Sequence, residues 1–187
     1  MIENANTEWG WPAKWLHWLG AILILLLLGH GWWMTHFAPR PDRLAHYAGH
    51  AALGYDFLAL LILRLLWRWT HAVPALPAKM PRWERLSAHA SHYGLYLLML
   101  ATTLTGWALA GTFARPLDKD AFGLPVPSVY VSQDRAMHRL FEDWHKVLSY
   151  VLLTLVVIHL IAALRHHFIK HDDVLRRMWL GSKAREH

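Results

Sequence analysis

Four long apolar stretches restrict the possible folds of this chain more than any other feature. They cover about residues 15–33, 45–69, 86–111 and 138–166. A helix needs about 20 mainly apolar residues to cross the roughly 30 Å hydrocarbon core of a bilayer, and the stretches meet that length. The sequence therefore predicts an all-α membrane protein, with residues 1–187 forming one domain of four transmembrane helices that run alternately up and down.

Proline residues mark the connections between the stretches. Pro74, Pro77 and Pro81 separate the second stretch from the third, and proline interrupts helices. The segment from about residue 112 to 137 contains three prolines and mixed charges, so we expect an extramembrane loop there. The first stretch is too rich in tryptophan to be a signal peptide and lacks a small-residue cleavage site.

Composition excludes several classes of protein. The 187 residues are 55% hydrophobic and 17% charged, with 12 Trp and no Cys. Without cysteine there is no disulfide, iron–sulfur cluster or thiolate-bound haem. The formal charge of +6 is not accompanied by a basic stripe or a recognition motif, so we expect no nucleic-acid partner. Positive charge beside apolar spans instead indicates contact with membrane lipid.

The positive-inside rule predicts the orientation of the bundle. Four spans place both termini and the second connection on one side of the membrane, and that side carries twelve of the 19 Lys and Arg residues. This excess predicts that both termini are cytoplasmic. The twelve are Lys14, Arg64, Arg68, Lys79, Arg82, Arg85, Arg165, Lys170, Arg176, Arg177, Lys183 and Arg185; the other seven are Arg40, Arg43, Arg115, Lys119, Arg135, Arg139 and Lys146.

An interval of fourteen residues recurs on all four stretches. Fourteen residues of α-helix make nearly four turns and rise about 21 Å, so the two side chains point in the same direction. The pairs are His17 and Gly31, His50 and Arg64, His92 and Gly106, and His145 and His159. Because alternate helices run in opposite directions, we predict an inner level of His17, Arg64, His92 and His159, and an outer level of Gly31, His50, Gly106 and His145.

The residue types at these levels favour haem over a bare metal ion. Ionisable side chains inside a membrane indicate function, and imidazole is a common axial ligand of haem iron. A bare ion such as zinc needs about four close ligands, whereas the outer level offers two well-phased histidines. Haem supplies four equatorial nitrogens itself, so two axial imidazoles are sufficient.

Three further residues in this frame are candidates for haem contacts. Gly31 and Gly106 would let a macrocycle approach the backbone, although small residues also mediate ordinary helix packing in membranes. Arg64 can donate two hydrogen bonds to a haem propionate, or it can extend to the membrane surface as ordinary flanking arginines do. The sequence leaves both pairs of alternatives open.

Several segments, in this order, resemble the bacterial cytochrome b561 family over roughly residues 11–178. They are Ala13-Lys14-Trp15-Leu16-His17-Trp18, His50 with Gly54 and Arg64, His89 and His92 before Tyr96-Leu97-Leu98, Phe122-Gly123-Leu124-Pro125-Val126-Pro127, Trp144-His145, and His159 with Arg165-His166-His167. The resemblance implies a multi-pass protein of the bacterial inner membrane that carries two b-type haems, each with two histidine ligands. At the matching positions, His17 and His159 would hold the inner haem, and His50 and His145 the outer haem.

Other polar residues keep two interpretations each. His89 and His92 are either contacts of a haem propionate or quinone, or interfacial histidines at a helix start. Asp56 is a proton carrier or a hydrogen-bonded structural acid, and Lys146 is a charge near the outer haem or a solvated lysine. His46 and His138 compete as outer ligands but lie closer to water. We expect His30 to be structural and the remaining C-terminal histidines to face solvent, namely His166, His167, His171 and His187.

The family resemblance implies transmembrane electron transfer with the quinone pool, ubiquinone being the expected partner. Some relatives oxidise superoxide on the outer face, and a rim of Arg115, Lys119, Arg135, Arg139 and Lys146 would attract such an anion. One alternative is a membrane anchor that passes electrons from a soluble dehydrogenase or hydrogenase subunit to quinone. The other alternative is a metal or proton transporter without redox function. No side chain is identified as a catalytic acid, base or nucleophile.

Overall fold

Four long helices form a membrane bundle. The computed structural model describes residues 8–77, 80–113, 120–126 and 134–181. Helix α1 spans Trp11–His36, α2 Arg43–Thr70, α3 Arg82–Gly111 and α4 Arg135–Phe168. All four are long and apolar enough to cross a membrane, which confirms the predicted four-helix fold. We call the end of the bundle that holds the start of α1 and the end of α4 the inner end, and the opposite end the outer end.

Each helix extends a few residues beyond its apolar stretch because local signals fix its ends. Pro12 lies in the first turn of α1, where a missing N–H removes no helical hydrogen bond. Pro81 immediately precedes α3. The backbone N–H of Met137 donates to the Asp134 side chain at 2.8 Å, so Asp134 caps α4.

The centre of the bundle is a compact apolar layer. Helix α1 packs against α2, α2 against α3, and α3 against α4. The buried side chains are Ile24 and Leu27 from α1, Phe57 and Leu61 from α2, and Leu152 from α4, with Met99 of α3 packed against them. By contrast, outward-facing leucines such as Leu25 and Leu26 are more than half exposed, as expected for side chains that contact lipid.

The outer loop contains a short hairpin that the sequence did not predict. Strands Asp120–Ala121 and Leu124–Pro125 pair antiparallel, and Phe122 and Gly123 both have positive φ in the turn. The Phe122 backbone N–H donates to Asp56 Oδ1 at 2.6 Å. Asp56 therefore anchors the hairpin to the middle of α2, which gives this acid a structural contact.

The segment after α4 folds back across the inner end. Short 3₁₀ helices lie at Arg40–Asp42 and Arg176–Met178. The Trp18 indole donates to the Met178 carbonyl at 2.8 Å, and the Arg177 guanidinium donates to the Ala75 carbonyl at 2.8 Å. Residues 172–181 thus connect α1 and the α2–α3 connection to the end of α4.

Candidate functional site

The structure brings His50 and His145 together near the outer end. Their ring centroids are 6.2 Å apart and the ring planes are nearly perpendicular. We call these two residues, with Gly31 and Gly106, the outer site. A Cβ atom on Gly106 would lie 2.8 Å from His145 Cε1, and one on Gly31 would lie 3.2 Å from His50 Cε1. Each glycine therefore leaves room for an imidazole ring of the adjacent helix. The sequence had suggested that these glycines leave room for a macrocycle instead.

A backbone hydrogen bond fixes the orientation of the His145 ring. His145 Nδ1 lies 2.9 Å from the Thr102 carbonyl oxygen. Since a carbonyl can only accept, Nδ1 carries the proton and donates it. Histidines that bind metals usually donate their second N–H in this way. His145 Nε2 is therefore the nitrogen available to a ligand.

The inner site consists of His17, His92, His159 and Arg64. The ring centroid of His159 lies 6.4 Å from that of His17 and 5.6 Å from that of His92. Arg64 is close enough to act electrostatically on all three histidines. The structure thus assembles the four residues of the predicted inner level, and it places both His17 and His92 beside His159.

The ring spacing and the donor set at both sites fit two histidine ligands of one haem. Metal–imidazole bonds are about 2 Å long, so rings on opposite sides of one metal ion have centroids about 6 Å apart. Nδ1 of His17 and of His50 is buried without a hydrogen-bond partner among the described residues, which is costly unless a ligand engages the ring. The described residues contain no group of three or more His, Asp or Glu side chains suited to a bare metal ion.

The apolar layer lies midway between the two sites. Ile24, Phe57, Met99 and Leu152 are each seven residues from both members of the fourteen-residue pair on their own helix. Seven residues are close to two turns, so these side chains share the face of the paired residues. Leu152 and Phe57 are 0% and 2% exposed. The two histidine sites are therefore separated by closely packed apolar side chains.

Two histidines have surroundings that differ from the sequence-based interpretation. We expected His30 to be structural, and its ring centroid lies 5.8 Å from that of His50, because α2 packs on that side of α1. We expected His166 to face solvent, but the returning C-terminal segment brings Asp172 to within 2.5 Å of its Nδ1. The spacing of seven residues from His159 is a signal that could have marked His166.

The remaining outer candidates make local contacts. His46 contacts His30 and Trp33, and His138 Nδ1 bonds to Thr112 Oγ1 at 2.7 Å. None of these contacts of His46 and His138 involves His145. Lys146 forms an ion pair with Glu142 at 2.7 Å on the exposed surface. Of the expected basic rim, Arg135 and Arg139 line an open cavity together with Thr112, Asp134 and His138, while Arg115 and Lys119 lie outside the described residues.

A four-helix membrane bundle with paired histidines on its inward faces is the architecture of a membrane cytochrome. The chain belongs to the prokaryotic cytochrome b561 family, whose sequence model matches residues 8–181. Membership identifies it as a multi-pass bacterial membrane protein of electron transport and implies a b-type haem.

Three named relatives are similar to this chain over most of its length. The chain is 30% identical to Cytochrome b561 homolog 2 of Escherichia coli, over 100% of this chain and 98% of the relative. It is 27% identical to a Yersinia pestis protein named "Probable superoxide oxidase CybB", over 87% and 90% of the two chains. It is 21% identical to the "Probable Ni/Fe-hydrogenase B-type cytochrome subunit" of Cupriavidus necator, over 92% and 84%.

Proposed function

We propose that this protein is a dihaem electron-transfer protein of the bacterial inner membrane that exchanges electrons with quinone. The observation that carries the proposal is the presence of two histidine sites at opposite ends of one bundle, with a packed apolar layer between them. A single cofactor would need only one such site. Two sites about 21 Å apart along the helices supply a route for electrons across most of the membrane.

In this proposal, His50 and His145 hold the outer haem, and His17 and His159 hold the inner haem. Helix α4 contributes one ligand to each, so it fixes their separation. His17 is preferred to His92 because the family resemblance assigns the position. His92 then contacts the edge of the inner haem.

Bound haem supplies reversible one-electron redox chemistry. The side chains hold the four imidazole rings in place: the Thr102 carbonyl orients His145, and Gly31 and Gly106 admit the rings at the outer site. Two histidines at each site would occupy both positions that the haem leaves open on its iron, so oxygen or substrate would not bind the metal. The apolar layer around Phe57 and Leu152 excludes water between the sites.

The electron donor distinguishes two versions of this function. A relative named as a superoxide oxidase supports a small anionic donor at the outer end, where Arg135 and Arg139 are exposed. A relative named as a hydrogenase cytochrome subunit supports the alternative of a membrane anchor for a soluble redox subunit. Stopped-flow reduction with superoxide, and separately with ubiquinol, tests the first version. Co-purification of a stoichiometric redox subunit would favour the second.

An absorption spectrum of the purified protein tests the dihaem proposal. We expect a Soret band, a sharp α band after dithionite reduction, and two haems per chain. His145→Ala should lose one haem and retain the other, while the matched variant His36→Ala, at the exposed end of α1, should retain both. Absence of haem in the native protein would refute the proposal and favour the transporter alternative. Retention of both haems in His145→Ala would refute the role of that residue.

A further inference from the structure

Two arginines lie one turn apart on α2 beside the inner site. Arg64 Nε donates to the Tyr96 hydroxyl at 3.0 Å. The guanidinium carbons of Arg64 and Arg68 each lie 5.5 Å from the centroid of the Tyr96 ring, and that of Arg68 lies 6.0 Å from the Tyr93 ring. Tyr96 thus contacts both guanidinium groups on the same side of the bundle, one turn along α3 from His92.

These two positive charges have no acidic partner within the described parts of the chain. The ion pairs formed there do not include Arg64 or Arg68. Glu84, a buried acid near the inner end, is bound by Arg165 and Lys170. Like charges four residues apart on a helix repel each other, and charges within a membrane are costly unless paired. An anionic group of carboxylate or phosphate chemistry would therefore stabilise the cluster.

Among the described residues, the arginines held against aromatic rings are Arg64 and Arg68 at the inner end, whereas Arg135 and Arg139, also one turn apart, are exposed near the start of α4. The ring centroids of His145 and His30 lie 6.2 and 5.8 Å from that of His50. His145 Nδ1 donates to the Thr102 carbonyl at 2.9 Å and lies 3.5 Å from Thr105 Oγ1. Lys146, the next residue in the chain, is paired with Glu142 on the exposed surface. The two sites consequently resemble each other in geometry and differ in charge.

We infer that Arg64 and Arg68, held by Tyr96, bind the two propionate carboxylates of the inner haem and give that site the higher reduction potential. The inference rests on the proposed dihaem function. Two guanidinium groups match the two negative charges of the propionates, and arginine binds carboxylates with two parallel hydrogen bonds. Positive charge near the iron stabilises the reduced state, which carries one positive charge fewer. The charge difference between the sites thus favours electron transfer from the outer end to the inner end.

Spectroelectrochemical titration of the haem-loaded protein tests this inference. We expect Arg68→Gln to lower the potential of the inner component alone. At fixed ambient potential its reduced-to-oxidised ratio should fall about tenfold, which corresponds to about 59 mV for a one-electron couple. Arg68→Lys should restore part of the ratio because it keeps the charge. Tyr96→Phe should cause a smaller decrease, since it removes only the hydrogen bond that positions Arg64.

Matched variants assign the effect to one site. Arg139→Gln removes an exposed charge at the outer end and should leave the inner potential unchanged. Repeating Arg68→Gln in a His145→Ala background, which should retain only the inner haem, shows which component moves. If Arg64→Gln loses the inner haem, the reduction potentials of Arg68→Lys and Tyr96→Phe test the inference instead.

The outcomes separate this inference from the proposed function. Two haems per chain with unchanged potentials in Arg64→Gln and Arg68→Gln would overturn the inference. That result would assign the arginines to phosphate groups of membrane lipid and leave the dihaem function standing. A shift of the outer component alone would also overturn it. Absence of haem from the native protein would instead remove the proposed function on which the inference rests.

Discussion

Individual glycine positions control how closely helices can approach the paired histidines. Among the helical glycines, Gly31 and Gly106 face imidazole rings across a helix interface, whereas Gly49 and Gly54 have open space where a Cβ would lie. The same residue type therefore has different roles along one bundle. At Gly31 and Gly106 a side chain would meet an imidazole ring, and at Gly94 it would lie 3.1 Å from Leu155 Cδ2.

We predict that Gly106→Ala reduces occupancy of the outer haem. The added methyl group would lie 2.8 Å from His145 Cε1, so the ring must move away from its hydrogen bond with Thr102. Alanine normally favours a helix over glycine by up to about 1 kcal/mol, so a loss cannot arise from helix propensity. The haem-to-protein absorbance ratio measures the effect. Gly49→Ala is the control, and an equal ratio in both variants would contradict the prediction.

Leu152 is the second residue whose surroundings allow a quantitative prediction. It is completely buried in the apolar layer, while its neighbour Leu153 is 40% exposed. Leu152→Ala should destabilise the protein by about 2–5 kcal/mol, because truncation leaves a cavity. Leu153→Ala should have a much smaller effect. Thermal unfolding in detergent measures both, and similar losses would show that the layer is not closely packed.

At the level of elements, α4 determines the geometry of both sites. It carries His145, Leu152 and His159 at equal intervals on one face, and it is the longest helix described. This part of the architecture could be predicted from sequence, since hydropathy marks the spans and helical periodicity relates residues within one span. The levels follow because antiparallel helices reverse the order of each pair.

Inserting one alanine after Leu152 tests the role of this helix. The insertion turns His159 by about 100° relative to His145, so both imidazoles can no longer face their partners. We predict the loss of one haem per chain in the absorption spectrum. An alanine inserted after Phe168, beyond the end of α4, should leave both haems bound. Two haems in the first variant would show that α4 does not fix the relative positions of the sites.

The contacts of the hairpin and of the C-terminal segment could not be predicted from the sequence. Contacts between residues distant in sequence, such as Phe122 with Asp56 and Trp18 with Met178, depend on how chain segments outside the helices fold back. Neither hydropathy nor periodicity carries that information. The contact of His30 with His50 was missed for a related reason, because a single-helix projection does not show which side the adjacent helix occupies.

Asp56→Ala should release the hairpin from α2. The variant removes the acceptor of the Phe122 N–H, and an unpaired polar group costs about 1–3 kcal/mol when water does not replace the partner. We expect faster proteolysis within residues 112–134 and an unchanged haem content. Asp42→Ala is a suitable control because the Asp42 side chain forms no capping bond at the start of α2. Equal proteolysis rates in the two variants would contradict the anchoring role.

For the whole molecule, the arrangement combines similar geometry at both ends with unequal charge. Paired rings lie 6.2 and 6.4 Å apart at the outer and inner sites, while Arg64 and Arg68 occur only at the inner one. If both proposed haems are bound, the similar ring spacing would serve the same type of cofactor at each end, and the unequal charge would give electron transfer a preferred direction.

If electrons pass between the two proposed haems, the apolar layer around Leu152 would make that transfer sensitive to membrane voltage. The sites are separated by about 21 Å of helix, which is roughly two-thirds of the hydrocarbon thickness. The energy of one charge that crosses the full membrane changes by about 2.3 kcal/mol per 100 mV. Over this shorter distance, the energy of one transferred electron would change by about 1.6 kcal/mol per 100 mV. In the predicted orientation, an interior-negative membrane opposes inward transfer, so turnover in energised vesicles should rise when an ionophore collapses the voltage.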